Sequence, residues 1–124
     1  MEKLEDQPVG VEGEAGWARV EAEVTTIIAE RPADYVAGTC QNLAELLELL
    51  RATSRPAPFV SPGYWPTFRV TWDAEGAENL EIEVFDDRYE IYRFFDGKTD
   101  IWYEHHAPGA ALSSAFLSEL PSPS

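Results

Sequence analysis

With 23 acidic against 9 basic side chains in 124 residues, this chain carries a formal net charge of -14, which disfavours charge-driven binding to nucleic acid or to anionic membrane surfaces. The length suits one domain with a real core, and hydrophobic and aromatic fractions of 44% and 12% argue against disorder along the whole chain. No apolar run approaches the roughly 20 residues that span a bilayer, and the acidic residues 1–6 lack the apolar core of a signal peptide. Cys40 is the sole cysteine and admits no intramolecular disulfide. A cytoplasmic protein is therefore expected.

Residues 1–13 read as a flexible acidic leader, with Pro8, Gly10 and Gly13 and little periodicity. A single domain is expected over 14–120, followed by a disordered tail over 121–124. Trp17, Val20, Val24, Ile27 and Ile28 recur at helical spacing and predict a helix over residues 14–30, closed by Pro32. The β-branched run from Val24 to Ile28 leaves a strand open as the alternative for its end.

The spacing predicts a second helix starting near Asn42. Asn42 as cap and Glu45 three residues on match a capping box, and Leu43, Leu46, Leu47 and Leu50 form one apolar stripe, which Leu49 broadens. Between residues 52 and 66, Pro56, Pro58, Pro62, Gly63 and Pro66 argue against regular structure. The aromatic side chains of Phe59, Tyr64 and Trp65 predict a loop laid across the edge of the core rather than a linker.

Four strands follow by alternation. Phe68, Val70 and Trp72 mark the first, and Leu80, Ile82 and Val84 the second. Residues 88–95 and 99–105 supply the third and fourth. Asp86-Asp87 and Asp96-Gly97 read as two-residue hairpin turns, which fixes the register by counting. Ile82 faces Ile91, Ile91 faces Trp102, Val84 faces Tyr89, and Arg93 faces both Leu80 and Asp100. A short closing helix is expected over 110–120 with Leu112, Phe116 and Leu117 inward. The fold class is thus α+β: an antiparallel four-stranded β-meander packed by one or two N-terminal helices, with a short C-terminal helix.

This register places Leu80, Ile82, Val84, Ile91 and Trp102 on one face. The reverse face receives Glu81, Glu83, Arg88 and Glu90 toward one edge and Tyr92, Phe94, Ile101 and Tyr103 toward the other. A meander with one helical layer is mostly polar on its far side, so four large side chains there require cover. The N-terminal helix, the C-terminal segment, a partner or a second copy of the chain would each supply it.

Signals for chemistry are weak. His105 and His106 are adjacent and point to opposite sides of a strand, and nothing resembles a zinc-ligand spacing. No metal and no cofactor is expected. Glu81 and Glu83 share a face as a general acid/base pair would, but such pairs arise by chance among 23 acids. Cys40 near a helix start is the best nucleophile on electrostatic grounds, yet it lacks a base. No catalytic residue is assigned.

Two function classes remain, with a structural alternative. The first is a small interaction protein, of the inhibitor, immunity or antitoxin-like kind, that neutralises a basic partner. Residues 67–107 hold 11 acids against 4 bases, a net of -7, by count along the sequence. Its expected interface is Tyr92, Phe94, Ile101, Tyr103, Glu81 and Glu83. The second is a small-ligand binder or enzyme with a pocket of Tyr64, Trp65, Trp72, Trp102 and His105. A homodimeric or purely structural accessory domain is the alternative.

Overall fold

The computed structural model describes residues 8–123. In chain order it contains α1 (Pro8–Glu30), α2 (Ala37–Ala52), β1 (Phe59–Pro62), β2 (Phe68–Thr71), β3 (Leu80–Val84), β4 (Arg88–Phe95), β5 (Lys98–His105) and α3 (Ser114–Glu119). The strands form one antiparallel sheet in the order β1-β2-β3-β4-β5. The class is α+β, with five strands rather than the expected four.

The extra strand lies in the proline-rich stretch. Phe59, Val60 and Ser61 fall between prolines and are free to pair with β2, with Pro62 opposite Phe68 at the end of the ladder. An edge strand tolerates a proline because one side of it needs no ladder bond. Helix α1 then covers this edge: Glu23 accepts the Val60 N–H at 2.9 Å. The Arg19 guanidinium, paired with Glu23 at 3.0 Å, lies 3.9 Å from the centre of the Phe59 ring.

Helix α1 begins at Pro8, earlier than the apolar pattern indicates, so residues 8–13 of the expected leader are helical. Residues 1–7 of that leader and Ser124 of the expected tail lie outside the described residues. The helix continues through the β-branched run, because Val20 and Ile27 bury one face against the core while Val24 and Ile28 pack beside it. Tertiary packing decides against the strand.

Helix α2 starts at Ala37, five residues before the expected cap, and Val36 occupies the cap position without a side-chain bond. Asn42 is instead fully buried within the helix. Its Nδ2 donates to the Phe85 carbonyl at 2.9 Å and to the His106 carbonyl at 3.3 Å. The Tyr89 hydroxyl returns a bond to the Asn42 carbonyl at 2.6 Å. These bonds fix α2 against the β3–β4 turn and the exit of β5. Arg51, near the C-terminal end of α2, reaches Glu14 and Glu21 of α1 at 3.3 Å each and joins the two helices.

The strand register follows the counted one: Ile82 opposite Ile91, Val84 opposite Tyr89, Arg93 opposite Leu80 and Asp100, and Trp102 opposite Ile91. Asp86-Asp87 closes β3–β4 through the bond from Phe85 N to the Arg88 carbonyl. Gly97 at φ 71 supplies the left-handed residue of the β4–β5 turn.

One core results. Leu43, Leu46 and Leu50 of α2 and Trp17, Val20 and Ile27 of α1 meet Phe68, Val70, Leu80, Ile82, Val84, Tyr89 and Ile91 of the sheet. Each such aliphatic side chain, fully buried, contributes roughly 1.5–3 kcal/mol. Helix α3 closes the same face. Ser113 caps it by accepting the Phe116 N–H, and Phe116 stacks on Tyr89 at 5.2 Å and meets Trp102 edge-on at 6.3 Å. Among the described residues, no helix is long and apolar enough to cross a membrane.

Candidate functional site

All three helices contribute to the core on one side of the sheet, so neither α1 nor the C-terminal segment covers the reverse face. Alternation along β4 and β5 brings Tyr92, Phe94, Ile101 and Tyr103 to that face, with Tyr92 opposite Ile101 and Tyr103 opposite Glu90. Phe94, Ile101 and Tyr103 are 45%, 52% and 56% exposed. Tyr92 is only half-buried: its ring stacks against Phe94 with centres 6.3 Å apart, and its hydroxyl donates to Glu90 at 2.7 Å. That bond and burial push the phenol pKa above its ordinary value, burial being the larger cause.

The acidic half of the same face is closed. Glu83 is buried, and one of its oxygens accepts both the Thr67 hydroxyl at 2.5 Å and the Tyr64 N–H at 3.2 Å. Glu81 pairs with Arg69 at 3.3 Å, while burial raises its carboxyl above the usual range. Arg88 binds both Glu90 at 2.8 Å and Asp87 at 2.7 Å. Of the six residues read as an interface, Phe94, Ile101 and Tyr103 form an open apolar patch. Glu83 serves as an internal strut, and Glu81 is engaged by Arg69.

The two sheet edges differ. Strand β1 is covered by α1, whereas β5 is the other terminal strand and has no further strand paired to its outer side among the described residues. An open edge of eight residues flanked by apolar side chains is an adhesive feature. Asp100 and Lys98 sit along it, 3.5 Å apart.

The five residues read as one pocket do not converge. Trp72 is buried and donates its indole N–H to the Pro56 carbonyl at 3.0 Å. Trp102 packs on Phe116 under the opposite side of the sheet's core face. His105 is exposed at the end of β5. Only Tyr64 and Trp65 share a cleft, and their neighbours there are Ile27, Glu30, Arg31, Asp34 and Tyr35 at the end of α1. Register counting cannot bring α1 to the β1–β2 turn, because β1 itself is hidden among prolines.

The histidines separate as alternation requires. His106 is buried, 5.1 Å ring to ring from Tyr89, with Nε2 2.8 Å from Glu45. Glu45, read as a capping-box residue, thus binds the far end of the sheet. Among the described residues no three His, Cys, Asp or Glu side chains group as a metal site would require. Cys40 lies in the first turn of α2, where its N–H makes a helical bond to Val36, and burial pushes its thiol up rather than down. Its surroundings therefore oppose the nucleophile reading. An apolar groove of about 320 Å³ runs beside it between α1 and α2.

No protein-family model matches this chain, and no curated protein and no solved structure resembles it significantly.

Proposed function

We propose that this protein is an interaction module that docks a basic protein partner on the open face of its β4–β5 hairpin, in the manner of a small inhibitor, immunity factor or antitoxin-like neutraliser. The observation that carries the reading is the patch of Phe94, Ile101 and Tyr103, half-exposed on a sheet face that none of the helices among the described residues covers. Aromatic and aliphatic anchors of this kind concentrate binding energy when a partner desolvates them. Asp96 in the β4–β5 turn adds negative charge beside the patch, while Asp100 and Glu104 lie on the opposite, core-side face of β5, so the wider field comes from the chain's net charge of -14. Such a field attracts a cationic partner and opposes close approach of a second copy.

The test is affinity capture with the intact protein and with an Ile101→Asp, Tyr103→Ala variant, in low and high salt. A stoichiometric basic protein held by the wild type, released by salt and absent from the variant is the expected result. Equal capture by both forms would reject the surface. A dimeric mass by light scattering that the variant reduces to a monomer would replace the basic partner by self-association, the homodimeric alternative.

A further inference from the structure

The cleft between the end of α1 and the β1–β2 turn encloses about 410 Å³, a size that holds a small organic group. One wall is Tyr64 and Trp65, which are 73% and 79% exposed. Large aromatics are costly to hold in water, yet this turn is firmly held. Gly63 N donates to the Thr67 carbonyl at 2.9 Å, and buried Glu83 grips both the Tyr64 N–H and the Thr67 hydroxyl. A β-carbon on Gly63 would collide with the Thr67 hydroxyl oxygen and lie 2.9 Å from Glu83, so the turn accepts only glycine in this packing. A buried carboxylate is thus spent on displaying two aromatic side chains.

The other wall is Tyr35, fixed by stacking on Phe68 with ring centres 4.5 Å apart. Glu30 and Asp34 line the cleft beside it, and Arg31 is the one basic residue of the lining. Arg31 reaches Asp34 only at 3.9 Å, with its own side chain 75% exposed, a contact that water screens strongly. Three aromatic rings with two carboxylates against one weakly held guanidinium is an environment for positive charge, since ring faces and carboxylates both attract cations. Tyr64 already carries a cation of its own chain, the Arg69 guanidinium lying 4.8 Å from its ring centre while pairing with Glu81, so Trp65 is the most exposed ring left to a ligand. A neutral apolar ligand would leave the carboxylates without purpose, and an anion would meet two of them for one arginine.

We propose that this cleft binds an organic cation, an alkylammonium or guanidinium group, either free or carried on a polypeptide side chain. The site is separate from the β4–β5 patch and does not depend on its role.

The test follows the Trp65 indole resonance of the full chain by NMR during titration with tetramethylammonium, with free arginine, with a short Lys/Arg peptide, and with a neutral tert-butyl alcohol as the uncharged comparison. Saturable binding of a cation with a dissociation constant on the order of 1 mM is expected, without matching binding of the neutral probe. Trp65→Ala, read on the Tyr64 ring signals, and Asp34→Asn should each weaken it about fivefold, while Arg31→Ala, which removes the competing charge, should tighten it about threefold. Ile101→Asp should leave it unchanged. A peptide binding more tightly than free arginine, with the same response to Trp65→Ala, assigns the cation to a polypeptide; equal affinities assign it to a free ligand. No cleft response at about 50 mM cation, equal binding of the neutral probe, or indifference to both Trp65→Ala and Arg31→Ala would overturn the proposal.

Discussion

Glu45 Oε1 lies 2.8 Å from His106 Nε2, linking the middle of α2 to the exit of β5 across 61 residues of chain. The second oxygen of the same carboxylate accepts the Gly109 N–H at 2.7 Å. These bonds, the one to His106 foremost, hold the Glu45 carboxyl below the usual range. Ionised Glu45 therefore adds stability that is fully present above the ordinary glutamate pKa of about 4.3 and is lost as pH falls through the lower folded value. Glu45→Gln is expected to cost about 1–2 kcal/mol near neutral pH, with the gap narrowing progressively below about pH 5. Urea unfolding across that range measures it, and a gap independent of pH would contradict the assignment.

Asn42 is a second link between α2 and the sheet. Replacing it with alanine strips the Phe85 and His106 carbonyls of their side-chain donor in a dry setting, at an expected cost of about 1–3 kcal/mol. Asn42→Asp is expected to cost more, because a carboxylate would face two carbonyl oxygens. Both should lower the urea midpoint with an unchanged slope. If Asn42→Ala left the midpoint in place, the buried amide would have no structural role.

The sheet was legible because its signals are local. Two-residue turns at Asp86-Asp87 and Asp96-Gly97 fix the pairing of residues 80–105 by arithmetic, and the structure keeps every pair so counted. The exposure of Phe94, Ile101 and Tyr103 follows from the same arithmetic once the position of α3 is known. What stayed hidden depends on long-range contacts. Asn42 and Glu45 have the spacing of a cap, but their partners lie 43 to 64 residues away, and a capping pattern does not distinguish a helix start from a helix interior. Strand β1 was masked by prolines that an edge strand tolerates. The cleft at Trp65 joins α1 to a turn of that unseen strand, so the two walls could not be brought together from periodicity.

Cys40 should be a sluggish thiol. Burial raises its pKa, with no opposing charge among the causes, so less thiolate is present at neutral pH than in a free cysteine, whose pKa is about 8.5. Reaction with a disulfide reagent at neutral pH is expected to run several-fold slower than for a cysteine peptide and to recover on unfolding in urea. A native rate above that of the peptide would show that the start of α2 activates the thiol after all.

Gly63 and Gly13 should respond in opposite directions to the same substitution. A β-carbon at Gly63 collides with the Thr67 hydroxyl and meets Glu83 at 2.9 Å, so Gly63→Ala must displace the strut that holds the Tyr64–Trp65 turn. Overpacking of this kind costs about 1–3 kcal/mol. Gly13 lies inside α1 with nothing within 4 Å of the added carbon, and Gly13→Ala is expected to stabilise by about 0.5–1 kcal/mol through helix propensity. Thermal unfolding of the two variants beside the wild type separates the effects. The Gly63 variant should also lose the cation response of the Trp65 indole while the Gly13 variant keeps it, because only the former disturbs the aromatic wall. A Gly63→Ala protein of undiminished stability would mean that Glu83 does not hold the turn.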